Sequence, residues 1–182
     1  MEDPDDDLDP NGQPDYSQPP GLDQHPDFLE FLDRADDELR QLCDRDIPEL
    51  GQRPDPWTRE GLQVIAQAAL RELPDIRSLT REQAALFGRM ARGIGHTFVL
   101  AGGGHWEYMV LSWRGDRPAP PAPVVVPASS PAWVTPGTLV GGVILSGTDI
   151  GLLDLYDHTV ADHAAWVAAG TPDPHDWFAQ QH

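Results

Sequence analysis

The composition of the chain changes near residue 25, and this change limits how much of the chain can build a hydrophobic core. Residues 1–24 contain eight acidic residues and five prolines but no lysine or arginine. Such a segment buries too little apolar area to offset the entropy that it would lose on ordering. We therefore expect a disordered acidic tail over residues 1–25, a single folded domain over residues 26–170, and a C-terminal tail over residues 171–182.

The charge of the whole chain restricts its partners. Its 30 acidic and 12 basic residues give a formal net charge of −18. A surface this negative repels phosphate backbones and anionic lipids, so we expect neither nucleic acid nor a membrane as a partner. The same charge attracts cationic molecules and raises their association rate. The sequence therefore predicts a basic protein partner.

Targeting signals and cysteine chemistry give two further expectations. The first residues lack the basic start and apolar run of a secretory signal, and no stretch approaches the roughly 18 apolar residues of a membrane span. We therefore expect a cytoplasmic protein. Cys43 is the only cysteine, which excludes an intramolecular disulfide and a thiolate-rich metal site. We predict no cofactor and no metal.

Hydrophobic residues at helical spacing predict three helices in the first half of the domain. These helices cover about residues 26–42, 57–73 and 81–93. Thr80 followed by Gln83 is the pattern of a capping box, in which each residue hydrogen-bonds the backbone N–H of the other. The third helix should therefore begin directly after Thr80.

A β region is predicted after these helices. Gly93 and Gly95 are expected to end the third helix, because glycine weakens a helix interior. Residues 97–100 and 105–113 flank an Ala-Gly-Gly-Gly turn, which predicts a β-hairpin. Residues 124–126 predict a third strand.

Both faces of the strand predicted over residues 105–113 carry large aromatic side chains. Alternation along a strand places Trp106 and Tyr108 on one face and Trp113 on the other. A strand that is apolar on both faces is either central in its sheet or meets a partner. We predict that these three residues bind the partner, together with Asp36 and Asp37 of the acidic first helix.

The last part of the domain predicts two helices. Thr135-Pro136 is a helix start signal, and Gly147 is a plausible helix end. Two glycines and several β-branched residues between them would also suit a strand. We favour a helix. A final helix should cover residues 151–169. The fold class expected is α+β, with the N-terminal helices packed on a small antiparallel sheet and a C-terminal helix closing the core.

Three residues of the final predicted helix are of the types that bind metal ions. Asp154, His158 and Asp162 follow at i, i+4 and i+8, so they line one face of the helix. The opposite half of the helix is apolar and should face the core. We therefore expect these three side chains to lie on the solvated face, away from any packed cavity.

A second candidate combines a histidine with a glutamate in the β region. In the predicted hairpin His96 lies too far from His105 and Glu107 for one metal to reach all three. His105 and Glu107 alone suit a base with its orienting acid, but no nucleophile can be placed beside them. Ser129 and Ser130 lie in a proline-rich turn without an evident base.

Several short motifs between residues 79 and 169 carry a family resemblance. They are Gly88-x-x-x-x-Gly93-x-Gly95, the glycine turn before His105-Trp106-Glu107, Val124-Val125-Val126-Pro127, Val134-x-Pro136, and Leu152-Leu153-x-Leu155-Tyr156. In this layout the chain resembles small uncharacterised bacterial helix, β-hairpin and helix domains, and it is similar in size and acidity to bacterial immunity proteins, which bind and block toxin domains. The resemblance implies a binding role and assigns no site.

Together these patterns predict a non-catalytic cytoplasmic domain that binds a cationic protein partner, in an immunity-like or chaperone-like role. One alternative is a small metal-dependent hydrolase that uses His105 with Glu107, or the face formed by Asp154, His158 and Asp162. Another is a purely structural or regulatory domain, in which the acidic tail serves only solubility.

Overall fold

The computed structural model describes residues 18–114 and 117–181, without the side chains of residues 113, 114 and 117. Its helices are a 3-10 turn (Leu22–Gln24), α1 (Pro26–Asp33), α2 (Ala35–Gln41), a π-helical turn (Leu42–Asp46), α3 (Pro48–Gly51), α4 (Arg59–Glu72), α5 (Arg81–Gly102), α6 (Pro136–Ser146), α7 (Ile150–Ala168) and α8 (Pro174–Gln181). Its strands are β1 (His105–Met109), β2 (Trp113–Arg114), β3 (Arg117–Pro118) and β4 (Ala122–Val126). The expected α+β class is confirmed, and the helices dominate.

The predicted first helix is present, with a slight break. α1 and α2 meet at Arg34, whose backbone N–H donates to the Glu30 carbonyl at 3.1 Å and whose carbonyl accepts from Glu38 at 3.0 Å. The two helices therefore form one nearly continuous rod. Phe28 and Leu39 are buried on its inner side, as the helical spacing of the apolar residues requires.

Most of the predicted disordered tail lies outside the described residues, and the described part, from Gln18 onward, is held by contacts. The Gln18 side-chain amide donates to the Val110 carbonyl at 3.1 Å, and its oxygen accepts from the Val110 N–H at 2.7 Å. The expectation of disorder up to residue 25 is therefore wrong for its last residues. These two hydrogen bonds replace ladder bonds at Val110, where the strand predicted over residues 105–113 is interrupted after Met109.

The capping box predicted at the start of the third helix is confirmed. The Thr80 hydroxyl accepts from the Gln83 N–H at 3.2 Å, and the Thr80 N–H donates to the Gln83 side chain at 3.0 Å. The predicted end of this helix is wrong, because α5 continues through Gly93 and Gly95 to Gly102. These two glycines create space instead. A Cβ at Gly93 would come within 2.6 Å of a Leu42 methyl carbon, and one at Gly95 would overlap the Trp106 indole.

The predicted hairpin between residues 97–100 and 105–113 is also wrong. The first of these segments belongs to α5, and β1 pairs in antiparallel fashion with β4, with Trp106 opposite Val125. The glycine run ends the helix, since Gly103 adopts a left-handed conformation (φ 58°) that suits a helix C-terminus. The third predicted strand is confirmed as β4.

The helices predicted near the C-terminus are confirmed as α6 and α7. Gly147 ends α6 in a left-handed conformation (φ 71°). Within residues 171–182, which the sequence assigns to a tail, Pro174–Gln181 form α8. The indole N–H of Trp177 in α8 donates to the Asp162 carboxylate of α7 at 3.0 Å, so α8 docks on the domain.

The hydrophobic core surrounds α5. Its Met90, Ile94 and Phe98 are at most 1% exposed and pack with buried side chains of α4 and α6, among them Ile65 and Val140. The sheet and the α1–α2 rod cover another side of α5. Within residues 18–114 and 117–181, no helix has the length and apolar character needed to cross a membrane.

Substitutions at Gly95 and Gly88 test whether close packing is the reason why glycine occurs inside α5. We expect Gly95→Ala to destabilise the fold by more than about 2 kcal/mol, because the added methyl group overlaps the Trp106 ring. At Gly88, on the same helix, an added Cβ would meet no atom of the described residues within 4 Å apart from its chain neighbours and the nearby backbone of α5. We therefore expect Gly88→Ala to stabilise the fold by about 0.5–1 kcal/mol through helix propensity. Urea unfolding of both variants measures this, and equal effects would contradict the packing argument.

Candidate functional site

The α1–α2 rod presents a mixed acidic and apolar surface to solvent. Leu29 and Leu32 are 46% and 41% exposed. Asp33, Asp36 and Asp37 are exposed beside them. We call these five residues the acidic outer face. On a helical wheel Leu29, Asp33 and Asp37 lie about 100–180° from Phe28, whereas Leu32 lies about 40° from it, at the border of the buried side. Asp36 lies about 80° from Phe28, near enough to α5 for its charge to act on His96.

The inner side of the rod is fixed to α5 by a buried arginine. Arg92 is 4% exposed; its guanidinium donates to the Glu38 carboxylate at 2.8 Å and to the Phe31 carbonyl at 2.6 Å. The guanidinium also lies 3.7 Å from the centre of the Phe31 ring. Burial lowers the pKa of Arg92, and the Glu38 carboxylate opposes that shift. The charge is thus paired and hydrogen-bonded, as a buried ion requires.

Two of the aromatic residues predicted to bind a partner are engaged inside the molecule. The Trp106 ring meets Phe31 edge-on at 4.9 Å between centroids, and the Tyr108 ring stacks on Phe28 at 5.3 Å. Burial, with a smaller effect of the Asp27 charge, raises the pKa of Tyr108. These half-buried rings therefore hold α1 against β1. The predicted Trp113 lies in β2, and its side chain is outside the described part of the chain.

The structure does not bring the predicted partner-binding residues together on one surface. Asp36 and Asp37 belong to the acidic outer face, about 140° and 120° around the rod from Phe31. Trp106 lies against Phe31 on the inner side. The sequence analysis predicted a helix over residues 26–42 but did not identify Leu29 and Leu32 as exposed. Their position next to Asp33 was the signal for a boundary of the apolar stripe.

The histidine and glutamate pair of the β region is present on β1. His105 Nε2 lies 2.9 Å from a Glu107 carboxylate oxygen, and the two side chains are 65% and 44% exposed. His96 lies elsewhere, on α5, where its ring meets Trp57 edge-on at 5.1 Å. Burial lowers the pKa of His96, and the Asp36 carboxylate opposes this shift.

The polar face of α7 departs from expectation. Asp154 is exposed as predicted, but His158 and Asp162 line a cavity of about 270 Å³. The predicted exposure to solvent is therefore confirmed for Asp154 and His158 and wrong for the half-buried Asp162, and the predicted distance from any cavity is wrong for both His158 and Asp162. The reason is α8, which covers this side of α7 through the hydrogen bond between Trp177 and Asp162.

The cavity, which we call the α7–α8 pocket, has a fixed carboxylate on its wall. Asp162 accepts a hydrogen bond of 2.5 Å from the Ser129 hydroxyl and one of 3.0 Å from the Trp177 indole N–H. The Ser129 side chain thus has a carboxylate partner that the sequence did not reveal. Trp133 and Phe178 contribute to the lining. Adjacent tryptophan and phenylalanine near the C-terminus were a signal that this segment packs on the domain.

The titratable groups do not converge on a metal centre in the described part of the chain. Within residues 18–114 and 117–181, no three histidine, cysteine, aspartate or glutamate side chains are close enough to hold one ion. The arrangement offers two other kinds of chemistry. The acidic outer face can bind a cationic surface, and the α7–α8 pocket can enclose a small molecule beside a carboxylate.

The chain matches no protein-family model, no curated protein and no solved structure. The resemblance to immunity-like bacterial domains therefore stays a prediction from sequence motifs.

The environment of His96 predicts how the stability of the fold depends on pH. Because burial lowers its pKa in the folded protein from an ordinary value of 6.5, the unfolded chain binds this proton more readily. The contribution of His96 to stability is therefore complete above pH 6.5 and decreases as the pH falls through that value. We expect an NMR titration to give His96 a pKa below that of the same residue in urea-unfolded protein. His96→Gln identifies the resonance, and a folded-state pKa equal to or above the unfolded one would contradict the assignment.

Proposed function

We propose that this chain is a non-catalytic binding protein that docks a cationic protein partner on the acidic outer face. The observation that carries this proposal is the exposure of Leu29 and Leu32 directly beside Asp33, Asp36 and Asp37. Exposed apolar side chains supply contact area, and the surrounding carboxylates supply charge complementarity. The sequence resemblance suggests an immunity-like form of this function, and a chaperone-like role is the alternative form.

The distribution of ion pairs supports a cationic partner. Residues 26–46 carry eight acidic and three basic residues. Two of the acids are paired inward with α5: Glu38 with Arg92, and Asp46 with Arg89 at 2.5 Å. On the outer face Asp37 pairs with Arg40 at 2.7 Å. Among the described residues, neither Asp33 nor Asp36 forms a salt bridge, so both carboxylates are available to a partner.

The rigidity of the rod also supports a docking role. The buried contacts of Arg92 with Glu38 and Phe31, together with the stacking of Phe28 on Tyr108, fix the inner side of the rod. A surface held in place before binding loses little conformational entropy when a partner docks. The partner that fits is a helix or loop with an apolar side chain between lysines or arginines. Its association should be fast and sensitive to salt.

A charge-matched pair of variants tests this function. Asp33→Asn, Asp36→Asn and Asp37→Asn together remove three charges from the outer face, whereas Glu82→Gln, Asp154→Asn and Asp176→Asn remove three exposed charges elsewhere. We expect the first variant to lose at least about fivefold in partner capture at low salt, and the second to resemble the wild type. Quantitative pull-down from lysate at low and high salt gives the measurement.

Cross-linking then locates the contact. The chain contains no lysine, so carboxyl-to-amine coupling reports lysines of the partner, with the N-terminal amine as the one internal competitor. We expect coupled peptides to include Asp33 or Asp36. Capture that survives in the outer-face variant but falls in the control variant, or cross-links confined to other surfaces, would overturn the proposal.

A further inference from the structure

We propose that the α7–α8 pocket binds a small organic ammonium ion. This second site is separate from the protein-docking surface, because its walls come from the β4–α6 connection, α7 and α8, and none of them from α1 or α2. The inference rests on the shape of the pocket, on an uncompensated carboxylate and on its aromatic walls.

The size and enclosure of the pocket suit a small molecule. Its volume of about 270 Å³ lies near the lower limit of ligand cavities, and most of its wall is apolar. Pro127, Val134 and Leu155 supply aliphatic surface, while Ser129, His158 and Asp162 supply polar groups. A few polar groups set into an apolar wall are the usual composition of a ligand site.

The Asp162 carboxylate has two hydrogen-bond donors, and it forms no salt bridge among the residues that the structure describes. The Ser129 hydroxyl donates to the Asp162 carboxylate at 2.5 Å. The second donor is the neutral indole N–H of Trp177. The described lining residues include no arginine, and their titratable side chains are His158 and Asp162. The two neutral donors orient Asp162 and leave its negative charge uncompensated, so a cation is the complementary ligand.

The aromatic walls select the kind of cation. Trp133, Trp177 and Phe178 line the pocket, and Trp133 is 48% exposed, so ligand entering the pocket can reach its ring. Indole faces attract organic ammonium ions through the ring quadrupole, and methylated ammonium groups also bury apolar surface there. A strongly hydrated inorganic cation gains less from such walls. The net charge of −18 raises the local concentration of any cation near the surface.

The two ligands used in this test have nearly the same shape but differ in charge. Choline carries a trimethylammonium group, and 3,3-dimethylbutan-1-ol replaces its nitrogen with carbon. We expect choline to shift the indole N–H resonances of Trp133 and Trp177 saturably at pH 7.5 and constant ionic strength. The neutral alcohol should bind at least about tenfold more weakly, a difference of about 1.4 kcal/mol. The anion 3,3-dimethylbutanoate should produce no saturable shift.

Two variants and a matched control locate the site. Asp162→Asn keeps a hydrogen-bond acceptor and removes the charge, and we expect it to weaken choline binding at least about tenfold. Trp133→Ala removes an exposed side chain, so it tests the pocket even if Asp162→Asn fails to fold, and it should weaken binding about fivefold. Asp154→Asn removes an exposed carboxylate from the same helix and should bind choline as the wild type does.

The outcomes separate this proposal from the protein-docking function. The variant lacking Asp33, Asp36 and Asp37 should keep wild-type choline affinity, because none of these residues lines the pocket. Equal binding of choline and its neutral isostere would overturn the proposal. So would unchanged affinity in Trp133→Ala, or the absence of a saturable choline shift at any of the pocket indoles.

Discussion

The close approach of other elements to α5 at Gly93 and Gly95 is the constraint on which the rest of the structure depends. Leu42, Ile65 and Trp57 lie so near Gly93 that a methyl group there would contact all three, and the Trp106 indole occupies the space beside Gly95. α5 can therefore contact the π-helical turn after the rod, α4 and the sheet within a single turn of helix. A larger side chain at either position would separate these layers, because a close-packed core has no spare volume.

The character of the outer face follows from this packing. With Trp106 seated against α5, its ring also meets Phe31, and Tyr108 on the same strand stacks on Phe28. The rod thus turns its aromatic side chains inward, and Arg92 reaches between them with its charge paired to Glu38. Leu29 and Leu32 consequently face outward beside aspartates. The same contacts that stabilise the rod decide which of its side chains a partner can meet.

The α7–α8 pocket depends on a different tertiary contact, the meeting of Ser129 and Trp177 at Asp162. Ser129 lies in the turn after β4, Asp162 in α7 and Trp177 in α8. These residues are far apart in the sequence, so no local sequence pattern connects them. Asp162 alone reads as an exposed helix carboxylate, because its neighbours at i−4 and i−8 are polar too. Burial by α8 converts it into a partly enclosed charge, whose value for binding comes from the lowered local dielectric.

Local physical chemistry by itself determined the bounds of several helices. Helical spacing predicted the rod, α6 and α7, the Thr80 and Gln83 capping box set the start of α5, and Gly147 ended α6. Only the tertiary structure decided that Gly93 and Gly95 continue a helix, that β1 pairs with β4, and that Asp162 lies in a pocket. The reason is that helix caps and hydrophobic periodicity depend on residues within one or two helical turns. The effect of a glycine or a carboxylate is set by whichever distant side chain packs against it.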